Sequence, residues 1–229
     1  MKTLQELTQE NQRLAAKIDQ NSIDRDTYRV IDGIINPERY LKAKYRILWI
    51  LKEANSIDFS WSIIDNFKNK EWLEKHGGSN PTLKRLIYTS YAILNESEWS
   101  DIPWGYEPQG YDCLQDIAFI NIKKEPGDST ANGNEVQQAY YQDKELLQEQ
   151  INMCDADIVI FGNTLQYFDK YLFEGLTEAQ EQRTEWGNVF FDTGKKLYIW
   201  TWHPAVRGKG FDDKGYVTDI ANIVKNWKR

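Results

Sequence analysis

Four polar signals in this chain stand where chemistry can be done: Glu53, Asn121, the run Gly162-Asn163-Thr164, and His203. An acid and an imidazole can act together as an acid–base pair. An amide offers a donor and an acceptor to a polar ligand. A glycine corner admits close approach to the backbone. Taken singly, each has an ordinary structural use: a surface carboxylate, a turn amide, a packing glycine, a histidine bonded to a carbonyl. Their common position, at or just past the end of an apolar run, is what sets them apart.

The runs lie at 46–51, 117–121, 157–161 and 197–202. Continuous apolar runs of this length read as strands buried on both faces. Helical patterns alternate with them, which predicts an α/β fold with a mostly parallel, four-stranded central sheet covered on both faces, an α/β/α arrangement of three layers. Parallel strands would bring the four signals to one edge, the edge where open α/β sheets bind ligands. Pro204 keeps His203 extended, because its ring excludes the αR conformation at the preceding residue.

The connecting elements carry their own signals. Thr3 and Glu6 form a capping box before Leu4, Leu7, Leu14 and Ile18, with Asn11 interrupting, so residues 1–20 read as a peripheral helix. Asn36-Pro37 and Asn80-Pro81 open two more helices. Asn134 is expected to cap one long helix with Val136, Ala139, Tyr140, Leu147, Ile151 and Cys154 inward, and Thr164 to cap the helix after the third run. The Trp-, Pro- and Gly-rich stretch 99–111 reads as a lid, residues 192–195 as a hairpin turn, and 207–211 as a basic loop. A helix bearing Ile220, Ala221, Val224 and Trp227 closes the sequence.

At 229 residues the length suits a single α/β domain over 1–229. A net charge of −7 argues against a general nucleic-acid coat protein, yet residues 195–229 hold eight Lys or Arg against three Asp and can meet phosphates. Cys113 and Cys154 lack metal-ligand spacing and read as buried thiols, so neither metal nor cofactor is expected. A metal triad of Glu53, Asp112 and His203 is conceivable but follows no ligand motif. No stretch is apolar enough to span a bilayer and no signal-type leader opens the sequence, so the expectation is a soluble cytoplasmic protein without membrane contact. The first helix offers a surface for a homodimer.

The order of these segments resembles the uracil-DNA glycosylase superfamily. Residues 47–55 (ILWILKEAN) look like its first motif, an apolar strand leading to an acid or amide. Residues 119–127 (FINIKKEPG) resemble the strand whose terminal asparagine reads a pyrimidine. Residues 157–164 (DIVIFGNT) are similar to its third strand and glycine turn, and 198–205 (YIWTWHPA) to its last strand and His-Pro motif. Lys52 stands where glycine is usual, Asn55-Ser56 where proline-glycine is common, and Ala205 where many members have serine. The four cysteines that hold an iron–sulfur cluster in some members are missing.

The resemblance implies a DNA-repair hydrolase that flips a uracil-type base and cleaves its N-glycosidic bond. Glu53 would steady the sugar cation and position water, and His203 would donate to the base oxygen as negative charge develops there. Asn121 would pair with the base edge while Phe67 stacks on its face, with Phe59 and Trp61 as alternatives. Lys52, Ala54, Asn55, Gly162, Asn163 and Thr164 would line the pocket, and Arg207 would contact phosphate in DNA or a nucleotide. Two other readings remain: an inactive nucleotide- or nucleic-acid-binding module on the same fold, and a small-molecule α/β hydrolase using Glu53 and His203.

Overall fold

The computed structural model describes residues 2–56, 59–128 and 130–227. Its elements begin with helix α1 (Leu4–Arg25), strands β1 (Val30–Ile31) and β2 (Gly33–Ile34), α2 (Pro37–Lys42), β3 (Ile47–Leu51), β4 (Trp61–Ser62), α3 (Ile63–Asn66), α4 (Lys70–His76) and α5 (Pro81–Asn95). They continue with α6 (Pro108–Tyr111), β5 (Ile117–Asn121), α7 (Gly133–Gln142), α8 (Lys144–Cys154), β6 (Ile158–Gly162), β7 (Glu181–Arg183), β8 (Val189–Asp192), β9 (Leu197–Thr201) and α9 (Asp213–Asn226).

The four apolar runs form the parallel heart of the main sheet. β3 pairs with β5 on one side and β6 on the other, and β9 lies beyond β6, all parallel. Among the described residues, however, that sheet has seven strands in the order β2-β5-β3-β6-β9-β8-β7, not the four expected, and its edge strands run antiparallel. These edges carry little sequence signal: β2 is two residues long, and β7 is Glu-Gln-Arg, exposed at every residue. A short parallel ladder of β1 and β4 stands apart.

Alternation along β3 feeds two cores. Ile47, Trp49 and Leu51 enter a cluster with Leu86 and Ile87 of α5 and Ile220 and Val224 of α9. Leu48 and Ile50 enter another with Leu14 and Ile18 of α1, Tyr140 of α7 and Leu147 of α8. Period-two side-chain direction is the cause, since successive residues of a strand face opposite sides. Cys113 and Cys154 are buried, and burial pushes the Cys154 thiol up to about 12.

Two of the expected helices differ. Asn132, not Asn134, caps α7, and the single long helix is broken at Asp143, whose backbone leaves helical geometry. Asp143 is buried and held by Arg25 at 2.6 Å, a contact that rewards the break. Thr164 makes no helix cap; only short 3₁₀ turns follow it, because its hydroxyl donates to the Ile50 carbonyl at 2.9 Å instead. In the stretch read as a lid, a 3₁₀ turn (Trp99–Asp101) and α6 interrupt the loop. Asn11 explains its interruption of the α1 stripe: its amide donates to Ile34 O at 2.9 Å and accepts from Ile34 N at 3.0 Å, clasping β2. The apolar stripe of α1 is thus buried on its own fold, leaving Leu4 and Ile23 as its exposed large apolar residues.

One buried carboxylate fixes the end of β5. Asp32, between β1 and β2, accepts from the Asn121 backbone N–H at 2.7 Å, from Lys124 Nζ at 2.7 and 2.9 Å, and from Gln150 Nε2 at 2.9 Å. Removing one partner of a buried pair leaves the other charged and unpaired. Asp32→Ala should therefore lower stability by about 3–5 kcal/mol, read as a fall in the urea unfolding midpoint; an unchanged midpoint would show that the pair does not anchor the fold.

Candidate functional site

Register places the sequence signals together. Leu51 of β3 pairs with Asn121 of β5, and Gly162 of β6 pairs with Thr201 of β9, so the four parallel strands finish at one edge. Beyond the strands the first two connections stay zipped: Ile122 N–H donates to Leu51 O, Lys123 N–H to Lys52 O and Gly127 N–H to Ala54 O, at 2.9–3.0 Å. Gly162 is the hinge of this edge. A Cβ there would fall 2.2 Å from Leu51 Cδ2 and 3.1 Å from Pro204 Cδ, so only glycine lets the first and last motifs close on the sheet. Asn163 follows in the left-handed region at φ 60 and donates its backbone N–H to Thr201 O at 2.8 Å, joining β6 to β9.

His203 is neutral and oriented. Its Nδ1 accepts the Ala205 N–H at 3.1 Å, which leaves the proton on Nε2 and makes that atom a donor. Burial, with help from the Lys52 ammonium, pushes the imidazole pKa down from 6.5 to about 4. The loop beyond it is held by Arg85 of α5, a buried guanidinium that donates to Pro204 O at 2.9 Å and Val206 O at 2.8 Å and pairs with Asp213 at 2.8 Å.

Lys52 and Glu53 turn to different neighbours. The Glu53 carboxylate lies against Gly127, where a Cβ would sit 2.1 Å from its Cδ, and pairs with Lys123 Nζ at 2.8 Å. Lys123 also reaches Glu135 at 3.4 Å. Lys52 instead stands near enough to His203 to disfavour its protonation. Glu53 and His203 therefore share the edge, and no hydrogen bond between them is formed.

Asn121 is the outlying feature. Its side chain is buried at 1% exposure, and neither Oδ1 nor Nδ2 has a hydrogen-bond partner. Each buried polar group left in this state costs about 1–3 kcal/mol. The same face of β5 carries Phe119, two residues back, and Phe67 packs edge-on against that ring at 5.7 Å. Phe67 itself is buried at the end of α3, beside Trp72 at 6.4 Å. An amide without partners and an aromatic ring therefore face the same side of the sheet.

Other sequence candidates sit differently. Ala54 is half-buried against the core, and Asn55 is exposed, bridged to Gly127. Phe59 and Arg207 are exposed on loops, and Trp61 donates to Ser56 Oγ at 3.0 Å. Thr164 has its hydroxyl committed to Ile50 and serves the backbone. Asp112 precedes β5 at the amino edge of the sheet, paired with Arg39 at 2.7 Å, so the triad with Glu53 and His203 cannot form. Among the described residues no group of three His, Cys, Asp or Glu is placed to hold a metal. Sequence reading missed Asp32, Lys123 and Arg85; the signal for Asp32 was a lone charge inside an apolar stretch, and for Arg85 a Lys-Arg pair between the apolar residues of a helix.

No family model and no curated protein matches this chain. The functional reading rests on the edge itself.

Because the folded imidazole binds its proton only near pH 4 while an ordinary one does so near 6.5, the unfolded chain protonates first on acidification. This group's contribution is complete above about pH 6.5 and is lost towards pH 4, by at most about 1.4 kcal/mol per pH unit. Urea midpoints of the wild type and His203→Gln across that range should converge as pH falls, since only the wild type carries this loss. Parallel pH profiles would show an imidazole with an ordinary pKa.

Proposed function

We propose that this carboxyl edge belongs to a uracil-DNA glycosylase-like hydrolase, of three-layer α/β/α architecture, that cleaves the N-glycosidic bond of a flipped or free uracil-type nucleotide. Helices from the two cores on either side of the sheet support the layering, and the order of the four motifs supports the superfamily. The observation that carries the reading is the buried amide of Asn121 without partners. Uracil presents a donor and an acceptor side by side on its pairing edge, which one amide can satisfy with its own acceptor and donor. Phe67, on the same face, supplies an aromatic surface for the ring.

The chemistry follows from what the side chains can do. Breaking the bond leaves negative charge on the base and positive charge on the sugar. A neutral His203 with its proton on Nε2 can donate to an oxygen that becomes anionic, and its low pKa keeps it from entering the reaction as a cation. Glu53, paired with Lys123 through one oxygen, keeps the other for the sugar cation or an attacking water. The Glu53–Lys123 pair also favours a second reading, a binding module on the same fold in which that carboxylate is only structural.

Uracil-containing single- and double-stranded oligonucleotides separate the two. Base release, seen as alkali-labile sites, should fall about 10²–10³-fold in His203→Ala and comparably in Glu53→Gln. Binding without base release would favour the module. Asn121→Leu should lose base binding while the protein becomes more stable by about 1–3 kcal/mol, because a costly unpaired amide is gone. A less stable Asn121→Leu would mean that the amide has partners within the fold.

A further inference from the structure

Three lysines cluster where β3 and β5 end, and they are not equivalent. Lys123 is paired with Glu53 and Glu135, and Lys124 is buried against Asp32. Lys52 is half-buried and, among the described residues, makes no side-chain hydrogen bond or ion pair. Its backbone is fixed, because Lys52 O accepts the Lys123 N–H at 2.9 Å. The neighbouring acid that would neutralise it is turned to Lys123 and seated against Gly127. What remains near it is the uncharged imidazole of His203. Burial holds the ammonium below the usual lysine range, although Glu53 pulls the other way. A half-desolvated amine without a counter-ion is the form of lysine that acts as a nucleophile towards carbonyl carbon.

We propose that Lys52 is an amine nucleophile that condenses with the C1′ aldehyde of an abasic deoxyribose at this edge, giving the protein an abasic-site lyase activity. The inference rests on the base-release reading for the placement of a sugar between Glu53 and His203. The unprotonated Nζ adds to C1′ of the ring-opened sugar, forming a C–N bond while the carbonyl electron pair moves to oxygen. Proton transfer and loss of water give the imine. The imine, once protonated, acidifies C2′–H; loss of that proton to solvent breaks the C3′–O bond, and the 3′ phosphate leaves with the electron pair. Water then hydrolyses the imine, returning the amine and releasing the unsaturated aldehyde. No oxidant or reductant is consumed.

Borohydride trapping on DNA that already contains an abasic site tests this without requiring base release. The full-length protein is incubated with a preformed abasic oligonucleotide and borohydride, which reduces the imine to a stable amine. A protein–DNA adduct should form, peptide mapping should locate it on Lys52, and it should be lost in Lys52→Met and in Lys52→Arg, both checked for folding by circular dichroism. No adduct with the wild type, an adduct mapped to another amine, or an adduct that survives in both folded variants overturns the proposal. Base release from a uracil oligonucleotide is measured beside it. Release without an adduct retains the glycosylase reading and removes the lyase; an adduct on abasic DNA without release does the reverse.

Discussion

The buried carboxylate of Asp32 is the interaction on which the edge depends. It accepts from the backbone of Asn121, from Lys124 and from Gln150, and so ties β5, its following turn and α8 to the segment between β1 and β2. A buried charge is tolerated only when it is paired and fully hydrogen-bonded, and this one is. The consequence lies one atom group away. Asp32 holds the backbone N–H of Asn121, and the side-chain amide of the same residue lies buried without partners. Part of the stability of that network offsets an unsatisfied group at the place where four strands end.

Charge at the edge is sorted by strand geometry. Lys52 and Glu53 are adjacent in sequence, and at the end of an extended strand adjacent side chains diverge. Glu53 pairs with Lys123 beyond β5, while the Lys52 ammonium disfavours protonation of the His203 imidazole beyond β9. A chain with net charge −7 thus presents a local cation beside a neutral donor. Glycines make the arrangement compact: Gly127 admits the Glu53 carboxylate and Gly162 admits Leu51 and Pro204.

Much of this was legible in the sequence, for a physical reason. Strands buried on both faces are continuous apolar runs, so β3, β5, β6 and β9 stand out, and their ends mark Glu53, Asn121, Gly162 and His203. The edge strands β2 and β7 do not, because a two-residue strand and an exposed charged strand have no hydrophobic period to read. The break at Asp143 and the redirected hydroxyl of Thr164 are set by partners more than a hundred residues away, Arg25 and Ile50, which local propensity does not contain. The pairing of Glu53 with Lys123 was hidden for the same reason: it depends on which strand lies beside β3. Arg85 shows the converse, a charge on an apolar helix face whose purpose is visible only once Pro204 and Val206 are beside it.

The most direct measurement is the side-chain amide signal of Asn121 in a ¹⁵N NMR spectrum, assigned by its loss in Asn121→Leu, as free uracil is titrated in. A base seated on this amide shifts both Nδ2 proton resonances saturably, with His203 ring signals moving over the same concentrations. Asn121 resonances that stay fixed up to the solubility limit of uracil, or shifts confined to surfaces away from the carboxyl ends of β3, β5, β6 and β9, would contradict a base-reading role for this edge.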